Sequence, residues 1–510
     1  MGLFLLIIGF AYLKSTPVLA EDKLYHFEIQ KDYLLMRDGT KIAVSYYLPT
    51  SISISKNHQE KFPVIFEMLP YRKDDLFYVE DYQRYAYFAK RGYVLVKADV
   101  RGTGASTGAV PEREYSEEEL DDGVEIIEQL SKKNWSNGNV AMWGKSWGGF
   151  NAIQVAMRNP PALKTIIAVH ATDDLYKDDV HNIDGAMHVD TYELSMEGEL
   201  AMPAAPNYDI NEEFFKNRFD RQPWFFTYKR EQNDGPFWRT NSLRFQYQKL
   251  KIPIFLIGGL LDGYRDFVPR ILEKVKVPAK AVMGPWNHGL INGSQREDRL
   301  APSKLQVNKI YDISFDLHFT TWTFKPGHRI RVAVTNAQFP MIWPSPYNMT
   351  TKLYTEGMAS WIELPIIPFE NRPVPNYSAP VMQLSGPIPN AATLSADRPH
   401  KIIVSEDRLK NMVSMETQVD DKTMVDGNIY DIFEKNIYTT NEKNPADSSY
   451  HGETEYVINL SSTNRKIQVS AGIDMHSDVS AYTIHINRKI IENGKLIREK
   501  NWQQVIPRNF

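Results

Sequence analysis

Gly144-Lys145-Ser146-Trp147-Gly148-Gly149 is the stretch that decides the fold. It follows a short apolar run that starts at Val140 and precedes a segment with a helical pattern. A serine with glycines two positions away on each side, between a strand and a helix, is typical of a nucleophile elbow. The turn would hold the Ser146 oxygen at a helix N-terminus, where free N–H groups favour a developing anion. We therefore predict that Ser146 is a nucleophile and that the Trp147 N–H is an oxyanion donor.

Further short apolar runs lie on both sides of this stretch, each bounded by turn residues. The runs begin at Pro63, Tyr93, Val140, Thr165, Ile254 and Ala281. Continuous runs of this kind favour strands that are buried on both faces, as in a parallel sheet. Ser116 and Glu119 have the spacing of a capping box and open a helix between two of the runs. Alternation of strands and helices indicates an α/β core.

A serine nucleophile needs a base and a carboxylate that orients the base, and in this architecture the carboxylate precedes the histidine in the chain. The run from Ile254 leads into a glycine-rich turn that contains Asp262, and the run from Ala281 leads into a turn that contains His288. Both turns follow the carboxyl ends of predicted strands, where such sheets place their sites. We predict Asp262 as the acid and His288 as the base, with Asp266 as an alternative acid.

The rest of the chain divides by pattern. Residues 172–245 are rich in Asp, Tyr, Phe and Trp without strand alternation, which predicts a helical insertion. Beyond about residue 300, period-two runs start at Ile313, Arg329, Lys466 and Tyr482, and they predict an antiparallel β domain. The predicted organisation is a signal peptide at 1–20, an α/β core at 21–171 and 246–298, a helical cap at 172–245, and a β domain at 299–510.

The N-terminal segment has the features of a secretory signal. The apolar run Leu3–Tyr12 is far shorter than the roughly 20 residues that span a membrane, and Val18-Leu19-Ala20 places small residues before Glu21. We expect cleavage after Ala20, a secreted or periplasmic protein, and no membrane association after cleavage. An uncleaved membrane anchor is the alternative.

Composition excludes several classes of function. The chain has no cysteine, which excludes disulfides, thiolate metal sites and cysteine nucleophiles. A net charge of -4 argues against a nucleic-acid partner, which would need a basic face. His181 and His188, with Asp184 and Asp190, fit no zinc spacing. We predict no cofactor and no metal.

Several motifs occur together in the first 290 residues, and they resemble the Xaa-Pro dipeptidyl-peptidase and cocaine-esterase-like family of α/β-hydrolases. They are Leu69-Pro70-Tyr71-Arg72-Lys73, Asp99-Val100-Arg101-Gly102-Thr103-Gly104-Ala105-Ser106-Thr107-Gly108, Asn134-Trp135-Ser136-Asn137-Gly138, the Ser146 elbow and Gly284-Pro285-Trp286-Asn287-His288-Gly289. The resemblance implies a triad of Ser146, Asp262 and His288, with the Tyr71 hydroxyl as the second oxyanion donor. We expect the motif that starts at Asp99 to brace the oxyanion loop.

The resemblance also implies a helical cap and a C-terminal jelly-roll (galactose-binding-like) domain. Family members usually carry more residues than this chain does between His288 and the strand at Ile313, so we expect a shortened β domain. In the amino-acid ester hydrolase branch, a carboxylate in a stretch similar to Asp173–His181 binds the α-ammonium of the substrate. Asp178 or Asp179 could do so here, and the other interpretation is that both are solvated acids that cap helices.

The sequence therefore predicts a secreted serine hydrolase that cleaves a small-molecule ester, an amide or a peptide through an acyl-enzyme. The alternatives are an Xaa-Pro dipeptidyl-peptidase, an α-amino acid ester hydrolase and a catalytically impaired binding protein. The sequence does not predict the natural substrate or the oligomeric state.

Overall fold

An eight-stranded mixed sheet forms the centre of the first half of the described chain. The structure is a computed structural model, and it describes residues 25–50, 60–287, 306–314, 317–318, 324–347, 349–357, 360–364, 388–394 and 401–509. The predicted signal peptide and His288 lie outside these residues.

The central sheet contains the six strands that the apolar runs predicted. Its strands are β1 (His26–Leu35), β2 (Lys41–Thr50), β3 (Phe62–Leu69), β4 (Val94–Asp99), β5 (Ser136–Lys145), β6 (Leu163–Val169), β7 (Ile254–Leu261) and β8 (Ala279–Asn287). The order across the sheet is β1-β2-β4-β3-β5-β6-β7-β8. In the part of the sheet that runs β4-β3-β5-β6-β7-β8, every neighbouring pair of strands is parallel. For example, Ile254 of β7 lies opposite Ile166 of β6. The carboxyl ends of β3, β5, β6, β7 and β8 therefore meet at one edge.

The first two strands were not among the predicted ones. They form an antiparallel hairpin at the edge of the sheet, and β2 continues the sheet by pairing with β4. Gly39 supplies the positive φ of 89° at the turn, and the Asp38 carboxylate accepts the Thr40 N–H at 2.9 Å. The hairpin lies at the far side of the sheet from β8.

Helices cover both faces of the sheet. They are α1 (Tyr78–Ala89), α2 (Glu117–Ser131), α3 (Trp147–Ala156) and α8 (Phe267–Lys274). The predicted capping box is confirmed in its first half, because the Ser116 Oγ accepts the Glu119 N–H at 3.2 Å. One face of α2 buries Leu120, Ile127 and Leu130 against the sheet.

Short helices dominate the segment between β6 and β7. They are α4 (Thr191–Leu200), α5 (Glu212–Phe214) with a π-helical turn (Phe215–Phe219), α6 (Trp224–Arg230), α7 (Pro236–Arg239) and two 3-10 turns (Leu243–Phe245 and Tyr247–Lys249). A small ribbon precedes them, formed by Asp178–Asp179, Asn182–Ile183 and Ala186–Met187. We call this part of the chain the cap. No helix in the described parts of the chain is long and apolar enough to cross a membrane.

The C-terminal part is all-antiparallel, as predicted. Its strands are β9 (Ala391–Thr393), β10 (Lys401–Asp407), β11 (Met412–Val425), β12 (Asn428–Asn441), β13 (Ser448–Leu460), β14 (Arg465–Ser477), β15 (Ala481–Glu492) and β16 (Lys495–Pro507). Among the described residues they form one sheet, in which both β9 and β10 pair with β11. The runs from Lys466 and Tyr482 are confirmed as strands.

The strand predicted from Arg329 is wrong. Residues 329–334 do not form a strand, and about half of the surface of Ile330, Val332 and Val334 is exposed. Ile313, at the start of another predicted strand, also has no strand assignment. A period-two pattern forms a strand only where a neighbouring strand supplies hydrogen bonds and a surface covers the apolar face.

The cap packs on the C-terminal sheet. A Cβ at Gly198 of α4 would lie 2.3 Å from the Tyr456 ring of β13, so α4 approaches this sheet as closely as glycine permits. Arg488 of β15 and Glu197 of α4 form a buried ion pair with 2.5 Å between Nη2 and Oε2. The C-terminal sheet thus supports the cap through α4.

Candidate active site

The turn between β5 and α3 has the geometry of a nucleophile elbow. Ser146 has φ 56° and ψ -121°, a conformation that non-glycine residues rarely adopt. A Cβ at Gly144 would lie 2.5 Å from the Gly148 backbone, so the crossing chains require glycine at position 144. The Ser146 N–H donates to the Val169 carbonyl at 2.9 Å, which ties the elbow to the end of β6. The strain and the anchoring hold Ser146 at the edge where the strands end.

Trp147 directly follows Ser146, and a buried hydrogen bond holds its side chain in place. As the first residue of α3, it has a backbone N–H without an intrahelical acceptor, which is available to an oxyanion. Its buried indole donates to the Glu119 carboxylate at 2.8 Å, and the Asn151 amide donates to the same oxygen at 2.8 Å. Burial raises the pKa of Glu119 to about 7, although these donors oppose the shift. Sequence reasoning assigned Glu119 only to the helix cap, because its second role depends on a contact 28 residues along the chain.

Tyr71 lies beside the elbow, and the oxyanion-donor role that the family resemblance implies for its hydroxyl stays a prediction. It follows β3, its ring stacks on Phe77 with centroids 5.0 Å apart, and it meets the Trp147 ring edge-on at 6.2 Å. Burial raises the pKa of Tyr71 well above its ordinary value, and the negative charges of Glu114 and Glu199 raise it further. The hydroxyl therefore stays protonated and remains a hydrogen-bond donor throughout the physiological pH range.

The loop that carries Tyr71 is braced by buried charges. Arg72 pairs with Asp75 through two hydrogen bonds of 3.0 and 2.7 Å and donates to the Pro203 carbonyl of the cap at 2.9 Å. The buried Asp99 carboxylate accepts the Lys73 N–H at 2.9 Å and the Ala105 N–H at 2.8 Å. Asp99 thus braces the loop that carries Tyr71, as expected, and the oxyanion role of that loop stays a prediction.

Asp262 follows β7 and is fully buried, at 0% exposure. Its carboxylate contacts Nδ1 of His170, the residue after β6. The alternative acid, Asp266, contacts Nδ1 of His318 at 2.5 Å at the start of α8. The structure thus places Asp262, not Asp266, against the end of the strand next to the elbow.

His288 lies outside the described residues, so its contacts with Ser146 and Asp262 stay predictions. The chain that leads to it is described as far as Asn287 at the end of β8. A Cβ at Gly259 would lie 2.3 Å from the Trp286 carbonyl oxygen, so β8 passes very close to the strand that carries Asp262.

The two adjacent acids of the cap have different surroundings. Asp178 forms an ion pair with Arg270, with 2.5 Å between Oδ2 and Nη2, and Arg270 also pairs with Asp173. Burial raises the pKa of Asp178 to about 6, and Arg270 opposes that shift. Its charge is already matched inside the protein.

Asp179 is a buried acid beside Glu114 and His181. Burial raises its pKa to about 7, with His181 opposing and Glu114 reinforcing the shift. The pKa of Tyr115 is raised well above its ordinary value by burial and then by Glu114 and Asp179. The ring of Tyr115 packs on that of Trp147 at 4.8 Å. Asp179 is thus an acid whose negative charge acts on Tyr115, which packs on Trp147 next to Ser146.

A buried charge cluster that the sequence analysis did not predict surrounds Asp179. His181 lies between two carboxylates, with Nε2 3.1 Å from Glu114 and Nδ1 2.9 Å from Glu193, and its ring stacks on Tyr228 at 3.5 Å. Burial alone lowers the pKa of His181, but the carboxylates outweigh it and raise the value to about 10.

Ligand atoms of Glu114, Asp179 and His181 lie within 4.8 Å of one another, a spacing that could suit a metal ion. Both ring nitrogens of His181 already face carboxylates, so a protonated imidazole supplies the positive charge there. The sequence holds no signal for this cluster, because Glu114 and Glu193 lie 67 and 12 residues from His181.

The sheet order, the strained serine after β5 and the acid after β7 define an α/β-hydrolase fold. A family model described as X-Pro dipeptidyl-peptidase (S15 family) matches residues 38–290. A second one, described as the X-Pro dipeptidyl-peptidase C-terminal non-catalytic domain, matches residues 271–401. The chain belongs to the X-Pro dipeptidyl-peptidase (S15) family, and the family predicted from the motifs is confirmed.

The curated relatives include both esterases and peptidases. A protein of Mycobacterium bovis named as a serine esterase is 33% identical over 157 residues, which cover 29% of this chain and 25% of that protein. Cocaine esterase of a Rhodococcus species is 27% identical over 363 residues, or 63% of this chain and 61% of that protein. Xaa-Pro dipeptidyl-peptidase of Lactiplantibacillus plantarum is 28% identical over 243 residues, or 42% of this chain and 29% of that protein. The chain thus spans between a quarter and about three fifths of the length of these relatives.

Proposed function

We propose that this protein is a serine hydrolase that cleaves an ester or amide bond through an acyl-enzyme intermediate. The observation that carries the proposal is the strained Ser146 elbow, with the Trp147 N–H and the Tyr71 ring beside it. In this proposal Ser146 attacks the carbonyl carbon while His288 takes its proton, and Asp262 fixes the tautomer of the imidazole. His288 then returns the proton to the leaving group, which leaves an acyl-enzyme on Ser146. In the second half of the reaction, water attacks the acyl carbonyl while His288 takes a proton from the water. His288 returns that proton to Ser146 as the acid product leaves.

Tyr71 and Trp147 suit the two donor positions of an oxyanion hole. The Trp147 backbone N–H lies at the helix start, where the dipole favours negative charge. The Tyr71 hydroxyl is a neutral donor on a ring that stacks against Phe77. Donors fixed before the reaction stabilise the tetrahedral intermediate without having to reorganise as the charge develops.

Labelling with a fluorophosphonate tests this proposal. An active serine hydrolase forms a covalent adduct at the nucleophile, and we expect the wild-type protein to be labelled and Ser146→Ala to remain unlabelled. Absence of labelling in folded wild-type protein would support the alternative of a binding protein with an impaired core.

A second candidate function is hydrolysis of substrates with a free α-amine, namely α-amino acid esters or Xaa-Pro peptides. The observation that favours it is Asp179, a buried carboxyl group whose charge acts on the aromatic residues beside the elbow. A shielded carboxylate can bind an ammonium group far more strongly than an exposed one, for which a pair is worth only about 0–1 kcal/mol.

Rates on an aryl acetate, an amino acid aryl ester and Gly-Pro-anilide separate the candidates. A plain esterase would hydrolyse the acetate at least as well as the other two substrates. A preference for the amine-bearing substrates that Asp179→Asn removes would establish the second candidate. Export is a further part of the proposal, which the sequence features of residues 1–20 support, and N-terminal sequencing of the secreted protein tests it.

A further inference from the structure

His170 lies between the nucleophile and the acid in the order of the strands. It follows β6, which has β5 with Ser146 on one side and β7 with Asp262 on the other. The residue before it, Val169, accepts the Ser146 N–H at 2.9 Å, and the His170 N–H donates to the Ile257 carbonyl of β7 at 2.9 Å. The backbone around His170 thus connects the elbow to the strand that carries the acid.

The backbone of His170 is strained. Its φ of 46° lies in the left-handed region, which a histidine seldom occupies. Such conformations persist only where the surrounding structure imposes them, and they cluster at functional sites. This strain is a second feature, independent of the contact with Asp262, that sets the position apart.

The imidazole is confined where it meets the acid. Nδ1 of His170 contacts Oδ2 of Asp262, and both side chains are buried. On another side, a Cβ at Gly259 would lie 2.9 Å from Cε1 of His170. The Tyr264 N–H is 3.4 Å from the other oxygen, Oδ1, so it is a weak donor to Asp262.

Because the base of a serine hydrolase binds to this carboxylate, and given the proposed function, we propose that His170 is a positioning residue of the acid. Its Nδ1–H donates a hydrogen bond to Oδ2 of Asp262, which fixes the rotation of the carboxylate. The oxygen that is not held by His170 then faces the base in one orientation. Neutral His170 must for this purpose be the Nδ1–H tautomer.

Two amide variants test which ring nitrogen matters. Asparagine places an N–H donor close to the position of Nδ1, whereas glutamine places one close to that of Nε2. His170→Asn should therefore keep kcat for an aryl acetate within about threefold of wild type. His170→Gln should lose about 10- to 100-fold in kcat, the size of effect that a small misplacement of a catalytic group produces, with KM unchanged.

The pH profile gives a readout that a merely structural role would not move. Without the hydrogen bond from Nδ1 of His170, the Asp262 carboxylate should stabilise a protonated base more strongly. The pKa of the base should therefore rise. The acidic limb of kcat/KM should move to higher pH in His170→Gln and return to the wild-type position in His170→Asn. Thermal unfolding of both variants shows whether they are folded at the assay temperature.

Three results would overturn the inference while the proposed function stands. The first is a folded His170→Gln with the wild-type kcat and pH profile. The second is equal impairment of the two amide variants, which would remove any special role for Nδ1. A loss in His170→Asn as large as that in Ser146→Ala would make His170 the base itself and also contradict a positioning role. Retention of activity in Ser146→Ala, by contrast, would reject the proposed function.

Discussion

Replacement of Tyr71 by phenylalanine isolates one hydroxyl group in the candidate site. The Tyr71 ring stacks on Phe77 at 5.0 Å and meets Trp147 at 6.2 Å, and a phenylalanine ring can keep both contacts. Stability should therefore change little. If the hydroxyl donates to the oxyanion, its loss should lower kcat by about 10²–10³, which corresponds to about 2.7–4 kcal/mol of transition-state stabilisation.

The loss should appear in kcat with KM nearly unchanged. A hydrogen bond to the carbonyl oxygen strengthens as negative charge develops, so it contributes mainly in the transition state. The ratio of wild-type to variant rates should also be constant between about pH 6 and 9. The reason is that burial, with Glu114 and Glu199, holds the pKa of Tyr71 well above its ordinary value and keeps the hydroxyl protonated.

Steady-state kinetics on an aryl acetate, together with the rate of fluorophosphonate labelling, measure this effect. Tyr82→Phe is the matched control, since Tyr82 is a buried tyrosine of α1 whose ring packs against Phe27 and Tyr47, away from the elbow. The control should keep wild-type kinetics. A Tyr71→Phe variant whose kcat stays within twofold of wild type would show that Tyr71 is not an oxyanion donor. A change in KM alone would place it in substrate binding.

Four further outcomes follow from the same site. Ser146→Ala should lower kcat by several orders of magnitude, and addition of His288→Ala should cost little more, because triad members act as a unit; near-additive losses in the double variant would contradict this. Activity should rise between about pH 6 and 7, as an imidazole base loses its proton, and should be insensitive to a chelator; loss in chelator that zinc restores would exclude the serine mechanism. The pKa of Asp179 is about 7, so the preference for an amine-bearing ester over a plain ester should grow as pH rises through 7; Asp179→Asn should abolish this growth and Asp178→Asn should not. Glu119→Gln turns one acceptor oxygen into an N–H₂ group and should lower the free energy of unfolding by about 1–3 kcal/mol, measured by urea denaturation; an unchanged midpoint would refute that role for its carboxylate.

The parallel part of the sheet could be predicted because each strand is buried on both faces and appears as an unbroken apolar run. The hairpin β1–β2 could not, since β1 is a mostly exposed edge strand with charged residues such as Glu28, Lys31 and Asp32. For residues 329–334 the error is the opposite one: their strong alternation predicted a strand, but in the structure they form none. An alternating pattern forms a strand where neighbouring strands pair with it, as for the runs from Lys466 and Tyr482, and the pattern alone does not identify those neighbours.

The candidate site shows the same limit. Ser146, Trp147 and Tyr71 belong to short motifs whose backbone geometry is local, so sequence alone could propose them. Glu119 and His170 act through contacts 28 and 92 residues away, and nothing in their own segments indicates these partners. Groups that hold a functional residue in place are chosen by tertiary contact, and only the folded chain identifies them.

The pair Asp178-Asp179 shows why adjacent identical residues can require a structure. Successive side chains of an extended segment point to opposite sides, so these two acids face different environments. One side presents Arg270, which matches the charge of Asp178 at 2.5 Å. The other presents His181 and Glu114: burial raises the pKa of Asp179 to about 7, His181 opposes this shift, and Glu114 reinforces it. The protonated His181 already opposes the repulsion between Glu114 and Asp179, and a cation beside the elbow would oppose it further, whereas Asp178 is paired with Arg270. The same substitution at the two positions therefore compares a carboxylate that is already paired with one that a substrate ammonium could pair.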